Sequence, residues 1–290
     1  MLGKILNHSG RFTYFIEPNY LWRRYKFSKT EDSLHKNDYN EKHSMFIKRN
    51  FEKFYMKNSS SHNNILLEKT PSNCLRIRYI LEVFPDAKFI FLFRNFSDIL
   101  TSIKYQWTNK IFFPQENHDK KNLSILNQTS RKLNIFKRKL SNGEITLANF
   151  LPFIYENISN QIHYNLKGEY FYWGPRVTHL YHGRNSMTLN DICIHQLLVC
   201  IEYLSKDLNY IDSNNKHILR YEDIIYNTND TLINILNFID QDYDWSRSIE
   251  KIQKSYNIHH KPIKEPFPLK CFKEYYPAAI DRYEKLGYHI

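Results

Sequence analysis

Between residues 65 and 102 the chain alternates short apolar runs with segments whose apolar positions recur at helical spacing. ILLEK is an apolar run that ends in charge, SNCLRIRYILEVF carries a helical stripe, and KFIFLF is continuously hydrophobic, as strands buried on both faces of a parallel sheet are. Asn95-Phe96-Ser97-Asp98 then opens another helix, with Asn95 or Ser97 as its N-cap. Strand, helix, strand, helix predicts an α/β fold with parallel strands. Further helices are predicted over residues 44–56, 188–208, 227–239 and 245–255, and HILRY (217–221) is the last strand. Residues 8–13 read as a connector. Residues 23–61 are polar and cross the surface, whereas residues 112–181 are the least regular part, with a basic helix at 130–140, an apolar stretch at 145–158 and the run YFYWGPR.

Neither a Pro/Gly/Ser-rich linker nor an internal repeat divides the 290 residues, which predicts one domain over residues 1–290, long enough to bury a substantial core. A formal charge of +11 points to an anionic ligand, although Lys- and Asn-rich composition accounts for part of it. A nucleic-acid partner is not expected, because no zinc finger, RNP aromatic motif or basic heptad helix is present. The four cysteines, Cys74, Cys193, Cys200 and Cys271, are scattered without C-x-x-C pairs and read as reduced core thiols. His259-His260 is a lone doublet, so no metal site is predicted. No signal peptide or membrane span is legible, and a cytoplasmic location is expected.

The strand ends carry the candidate chemistry. Open α/β sheets bind ligands beyond the carboxyl ends of their strands, where Glu68, Lys69 and Arg94 fall. Arg94, Ser102 eight residues later and the start of a helix can together hold a phosphate through a guanidinium fork, a hydroxyl and backbone N–H groups. On spacing alone a second arrangement is equally open. Arg94 can pair with Asp98, leaving Ser102 as an ordinary helical residue.

LLEKTPSN, then FPDAKFIFLFRN with a serine eight residues after the arginine, resembles the nucleotide-dependent sulfotransferases. IEPNYLW (16–22), YFYWGPR (170–176), HILRYEDI (217–224) and the closing RYEKLGYHI follow in the family's order, so the resemblance spans nearly the whole chain. It implies a P-loop-type three-layer fold, a central parallel sheet flanked by helices. The family's first strand and Gly-rich phosphosulfate loop are not found among the seven glycines, and MLGKILNHSG reads as the remainder of the helix that follows such a loop.

The activity so implied is transfer of a sulfuryl group from 3′-phosphoadenosine 5′-phosphosulfate (PAPS), as co-substrate, to a hydroxyl or amine, without a metal. Without the loop this activity is expected to be impaired, and the alternative is a non-catalytic remnant that binds at most the 3′-phosphoadenosine half. The resemblance makes Glu17 the base, against a surface pairing with Arg23 or Arg24. Glu68 is the second candidate base, against a structural pairing with a nearby cation, and Lys69 contacts the sulfuryl or leaving-group side. It sets Arg94 and Ser102 on a phosphate, Tyr221 beside the adenine, and Lys261 with Lys264 over the 3′-phosphate. Residues 112–181 would form the acceptor wall, with Trp173 and Arg176 shaping the pocket or packing beneath it. The acceptor itself, whether saccharide, lipid, peptide or small alcohol, is not legible. An ATP-using P-loop kinase shares such a sheet, but a Walker lysine motif and a magnesium aspartate are both missing from the sequence.

Overall fold

The aromatic and branched run FTYFI forms β1 (Phe12–Ile16), parallel to ILLEK as β2 (Ile65–Lys69), with Phe12 opposite Ile65 and Ile16 opposite Lys69. FIFLF forms β3 (Phe89–Phe93), parallel to KHILR as β4 (Lys216–Arg220), with Phe89 opposite Lys216. The computed structural model describes residues 2–23, 31–59, 64–109, 172–183, 186–240, 244–247, 249–250 and 267–288. Among these residues the strands make two separate two-stranded sheets.

Helices α1 (Leu2–Asn7), α2 (Asn19–Trp22), α3 (Glu41–Asn58), α4 (Ile77–Val83) and α5 (Phe96–Asn109) belong to the first part of the chain. After them come α6 (Thr178–Gly183), α7 (Leu189–Asp207), α8 (Tyr221–Tyr226), α9 (Thr228–Ile239) and α10 (Pro277–Lys285). The period of two along each strand sorts them into layers. Ile65 and Leu67 of β2, Ile90 of β3 and Leu219 of β4 meet Leu6 of α1 and Leu232, Ile235 and Leu236 of α9 in one cluster. On the opposite face Phe15 and Leu66 meet Trp22, Phe51, Phe54 and Val83 from α2, α3 and α4. Phe91 and Phe93 pack with residues of α5, α7 and α10, among them Leu100, Leu197 and Ile280. Because one cluster contains side chains from both pairs of strands, the pairs share a middle layer.

Both pairs also run the same way. Arg11, just ahead of β1, pairs with Asp240 at 3.6 Å, while Lys88, just ahead of β3, donates to the carbonyls of Phe238 and Ile239 at 2.9 and 3.1 Å. A cation is favourable at those C-terminal carbonyls of α9. The amino ends of β1 and β3 thus converge on one helix end, and Ile16, Lys69, Phe93 and Arg220 close the strands at the opposite edge.

The α/β class, the parallel strands and the flanking helices follow the sequence. So do α3, α7 and α9, within a few residues at each end. In the helix expected over residues 245–255, residues 246–247 and 249–250 are helical and 251–255 lie outside the described residues. The stretch read as one helical stripe after β2 is divided at Arg76, which separates a 3-10 turn (Pro71–Leu75) from α4. β1 was not anticipated: the connector ends at Arg11, after a turn in which Gly10 adopts φ 78°.

Candidate active site at the carboxyl edge

Two carboxylates and two guanidinium groups are collected beneath the turn that follows β2, and they explain the LEKTPSN run. Glu68 accepts from the side chains of Thr70 and Asn73, so neither oxygen is idle. Ser72 donates to Asp32 at 2.6 Å, and the backbone N–H of Arg176 reaches the same carboxylate at 2.9 Å. Arg23 pairs with Asp32 through its guanidinium. Arg76, fully buried, donates to Asn73 and Asn19 and lies over the Trp22 ring.

Burial works against both carboxylates, with different outcomes. It would raise the Asp32 carboxyl, but the Arg23 guanidinium beside it, with Arg76 and the Ser72 hydroxyl, holds it well below the usual carboxylate range. For Glu68 burial prevails over its hydrogen bonds and over Arg76 and Lys69, and its carboxyl is pushed up. Burial likewise pushes the Arg76 guanidinium down to about 10 despite the nearby carboxylates. The result is a turn fixed from below, which leaves Lys69 to project from the strand end.

Glu17 meets that lysine. Its carboxylate lies 2.6 Å from the Lys69 ammonium, and its backbone N–H donates to the Lys69 carbonyl at 3.0 Å. Both side chains are about half exposed, at 50% and 51%. Glu17 also has φ 50°, in the left-handed region, and is the one non-glycine residue with positive φ among the described residues. Such a conformation costs about 1–3 kcal/mol and persists where the surroundings impose it. Tyr14, on the same strand, has its hydroxyl raised by burial and by the charges of Glu17 and Glu68.

The second strand pair builds a different corner. Arg94 follows β3 and pairs with Asp98 one turn into α5 at 3.2 Å, with its guanidinium 4.5 Å from the centre of the Tyr221 ring. Its Nε is buried and has no hydrogen-bond partner. Ser102 is exposed and lies one further turn along α5, on the face that bears Asp98. The Asp98 N–H is taken by the Asn95 side chain at 3.4 Å, so Asn95 is the cap, and the Asn95 N–H is taken by buried Glu222 at 2.8 Å. Glu222 in turn accepts from Tyr288 at 2.6 Å, and Tyr283 donates to the Arg94 carbonyl at 2.9 Å. The YED run and the closing Leu-Gly-Tyr are therefore one hydrogen-bonded unit.

A sequence model described as "Sulfotransferase family" matches residues 12–164, more than half of the chain. The chain belongs to the sulfotransferase family. No curated protein and no solved structure is similar enough to match it. Membership supports a transferase that handles a sulfuryl group.

The fold brings Glu17, Glu68 and Lys69 together at the end of one strand pair, and Arg94, Tyr221 and the Ser102 face of α5 together at the end of the other. Lys261 and Lys264, and residues 112–171, lie outside the described residues. Arg176 is buried, with its backbone tied to Asp32 and its guanidinium over Tyr181; the Gln196 amide holds the Trp173 carbonyl. Asp32, Arg76, Asn73 and Glu222 were not singled out in the sequence. Glu222 and Asn73 lie inside recognised motifs and could have been found there, whereas nothing in the local pattern marks Asp32 as a buried anchor. Among the described residues no His/Cys/Asp/Glu group has metal-binding geometry, and no helix is long and apolar enough to cross a membrane.

Proposed function

We propose that the carboxyl edge carries sulfuryl transfer from PAPS to a hydroxyl or amine, with Glu17 as the base and Lys69 at the sulfuryl group. The observation that carries this reading is the Glu17–Lys69 contact, which joins residues from two strands in a strained conformation. An ion pair this exposed is worth only about 0–1 kcal/mol, so an arriving anion can take the ammonium at little cost and free the carboxylate. PAPS supplies an activated sulfuryl group on a good leaving group. Glu17 takes the acceptor's proton as the new bond to sulfur forms and the sulfur–oxygen bond to the nucleotide phosphate breaks, and Lys69 stabilises the negative charge that develops. Glu68, engaged by Thr70 and Asn73, holds the turn in this scheme and aims Lys69.

The nucleotide belongs at the other corner. Arg94 has a buried Nε without a hydrogen-bond partner and an ion pair with Asp98 one turn away, and its stacking on Tyr221 offers a flat, cationic surface for a phosphate and a purine. Ser102 adds a hydroxyl one turn along. Calorimetry with adenosine 3′,5′-bisphosphate and a transfer assay with PAPS separate the roles. Glu17→Gln is expected to lower turnover at least 100-fold with nucleotide affinity unchanged, and Arg94→Ala to weaken nucleotide binding about tenfold or more, the loss of one charge-assisted hydrogen bond. Full turnover in Glu17→Gln would remove it from the mechanism.

A second reading, nucleotide binding without transfer, is favoured by the division of the sheet into two pairs. It predicts calorimetric binding with no turnover in the unsubstituted chain.

A further inference from the structure

Glu17 and Lys69 follow and end two different strands, so their 2.6 Å contact depends on whatever holds the segments after β1 and β2 against each other. The fully buried guanidinium of Arg76 joins those segments. One of its Nη groups donates to the Asn19 side-chain oxygen, two residues beyond Glu17, and its Nε donates to the Asn73 side-chain oxygen at 3.1 Å, in the turn beyond Lys69. The Asn73 amide in turn donates to Glu68, the residue before Lys69. Trp22, also buried, covers the guanidinium with its ring centre 5.5 Å away. A second tie supports the first. A carbonyl can only accept, so the His43 Nε2–H donates to the Leu21 carbonyl at 2.9 Å, and its Nδ1 accepts from the Tyr79 hydroxyl at 2.8 Å. α2 is therefore held through Asn19 by Arg76, at the start of α4, and through Leu21 by Tyr79 within that helix.

Glu17 is clamped on both sides as a result. Its N–H is held by the Lys69 carbonyl at 3.0 Å, Pro18 follows with φ −76°, and Asn19 is held by Arg76. A left-handed residue between two fixed points cannot relax by moving a neighbour, which is how surroundings impose such a conformation. The choice of arginine has a chemical reason. A guanidinium presents its donors at fixed angles in one plane, whereas an ammonium is a point charge on a flexible stem, so the guanidinium sets the separation of its two acceptors. Its hydrogen bonds go to neutral side-chain amides, Asp32 and Glu68 supply the counter-charge, and the remaining Nη is buried without a hydrogen-bond partner. Packing alone would be served as well by an apolar side chain against Trp22. We infer that Arg76 is a positioning residue for the transfer, its guanidinium setting the Glu17 carboxylate against the Lys69 ammonium through Asn19 and Asn73. This rests on the catalytic reading of Glu17 and Lys69. A displacement of about 1 Å in such a pair lowers a rate by about 100-fold.

Two variants test the tie. Arg76→Lys keeps the charge and gives up the fork, and Asn19→Ala removes the link on the Glu17 side while leaving Arg76 in place. Asn19→Asp retains an acceptor oxygen and is the control. Hydrogen exchange is read at the Glu17 amide, with that of Phe91 in β3 as reference, beside turnover with PAPS, calorimetry with adenosine 3′,5′-bisphosphate and a thermal melt. The expected result in Asn19→Ala is exchange at Glu17 faster by about tenfold against the reference, turnover lower by about tenfold or more and nucleotide affinity unchanged, with Asn19→Asp within about twofold of the unsubstituted chain. Placed on Glu17→Gln, Asn19→Ala should lower turnover no further, because a residue acting only through the carboxylate has nothing left to position. Arg76→Lys is expected to behave as Asn19→Ala does; should it fail to fold, Asn19→Ala decides alone. Unchanged exchange at Glu17 in Asn19→Ala, or an equal second loss of turnover on the Glu17→Gln background, would overturn the inference. Full turnover in Glu17→Gln would instead remove the catalytic reading, and exchange at the Glu17 amide would still decide whether Arg76 fixes that residue.

Discussion

Glu17 occupies a backbone conformation that most L residues avoid, so its side chain and its fold preference are opposed. Asparagine adopts the left-handed region several times more readily than glutamate. Glu17→Asn is therefore expected to leave the melting temperature unchanged or raise it, by up to about 1 kcal/mol of stability, while turnover is lost. A thermal melt beside the transfer assay checks both halves; a clear loss of stability would mean that the carboxylate holds the turn rather than serving the reaction. Arg94 illustrates a different balance. Of the two arrangements open to it in the sequence, the pairing with Asp98 is present, with the guanidinium also over the Tyr221 ring. Residue identity alone could not order these outcomes, because both use the same helix face.

The turn between β2 and α4 is the element on which the lysine depends, and Asp32 is its anchor. Asp32 reaches Ser72, the Arg176 backbone and Arg23 from a segment distant in sequence. Replacing it by asparagine leaves buried guanidinium groups without their counter-charge, at an expected cost of about 3–5 kcal/mol measured in urea melts. Its folded pKa lies below the unfolded one, so its contribution is complete above the unfolded value and is lost as pH falls further. Urea midpoints should hold down to about pH 4 and then decline, with a shallower decline in Asp32→Asn. Elements of this kind divide the legible from the illegible. β3 and β2 were readable because continuous apolar runs between charged ends have few other destinations, and α3, α7 and α9 because their stripes are long. β1 was missed because five residues between a glycine turn and Glu17-Pro18 leave too short a window for alternation. The break at Arg76 was missed because its buried charge is compensated by Asp32 and Glu68, which only the tertiary fold supplies.

Across the molecule, 41 Lys and Arg residues against 30 Asp and Glu give a net positive field that attracts anions. Nucleotide affinity is expected to fall steadily between low salt and about 0.5 M, and the Arg94→Ala variant to show a shallower salt dependence, both measurable by titration. Which strand pairs with which was beyond the sequence, since it depends on contacts between segments as far apart as Phe89 and Lys216. The last helix adds one more long-range tie. Tyr283 in this helix and Tyr288 just after it hold the single peptide group between Arg94 and Asn95, the first at the Arg94 carbonyl and the second through the Glu222 bridge to the Asn95 N–H. The Tyr283–Tyr288 segment is thereby coupled to the corner that holds Arg94. Trypsin cleavage after Arg282 or Lys285 should slow when adenosine 3′,5′-bisphosphate is added, and that protection should vanish in Tyr288→Phe even where the nucleotide still binds.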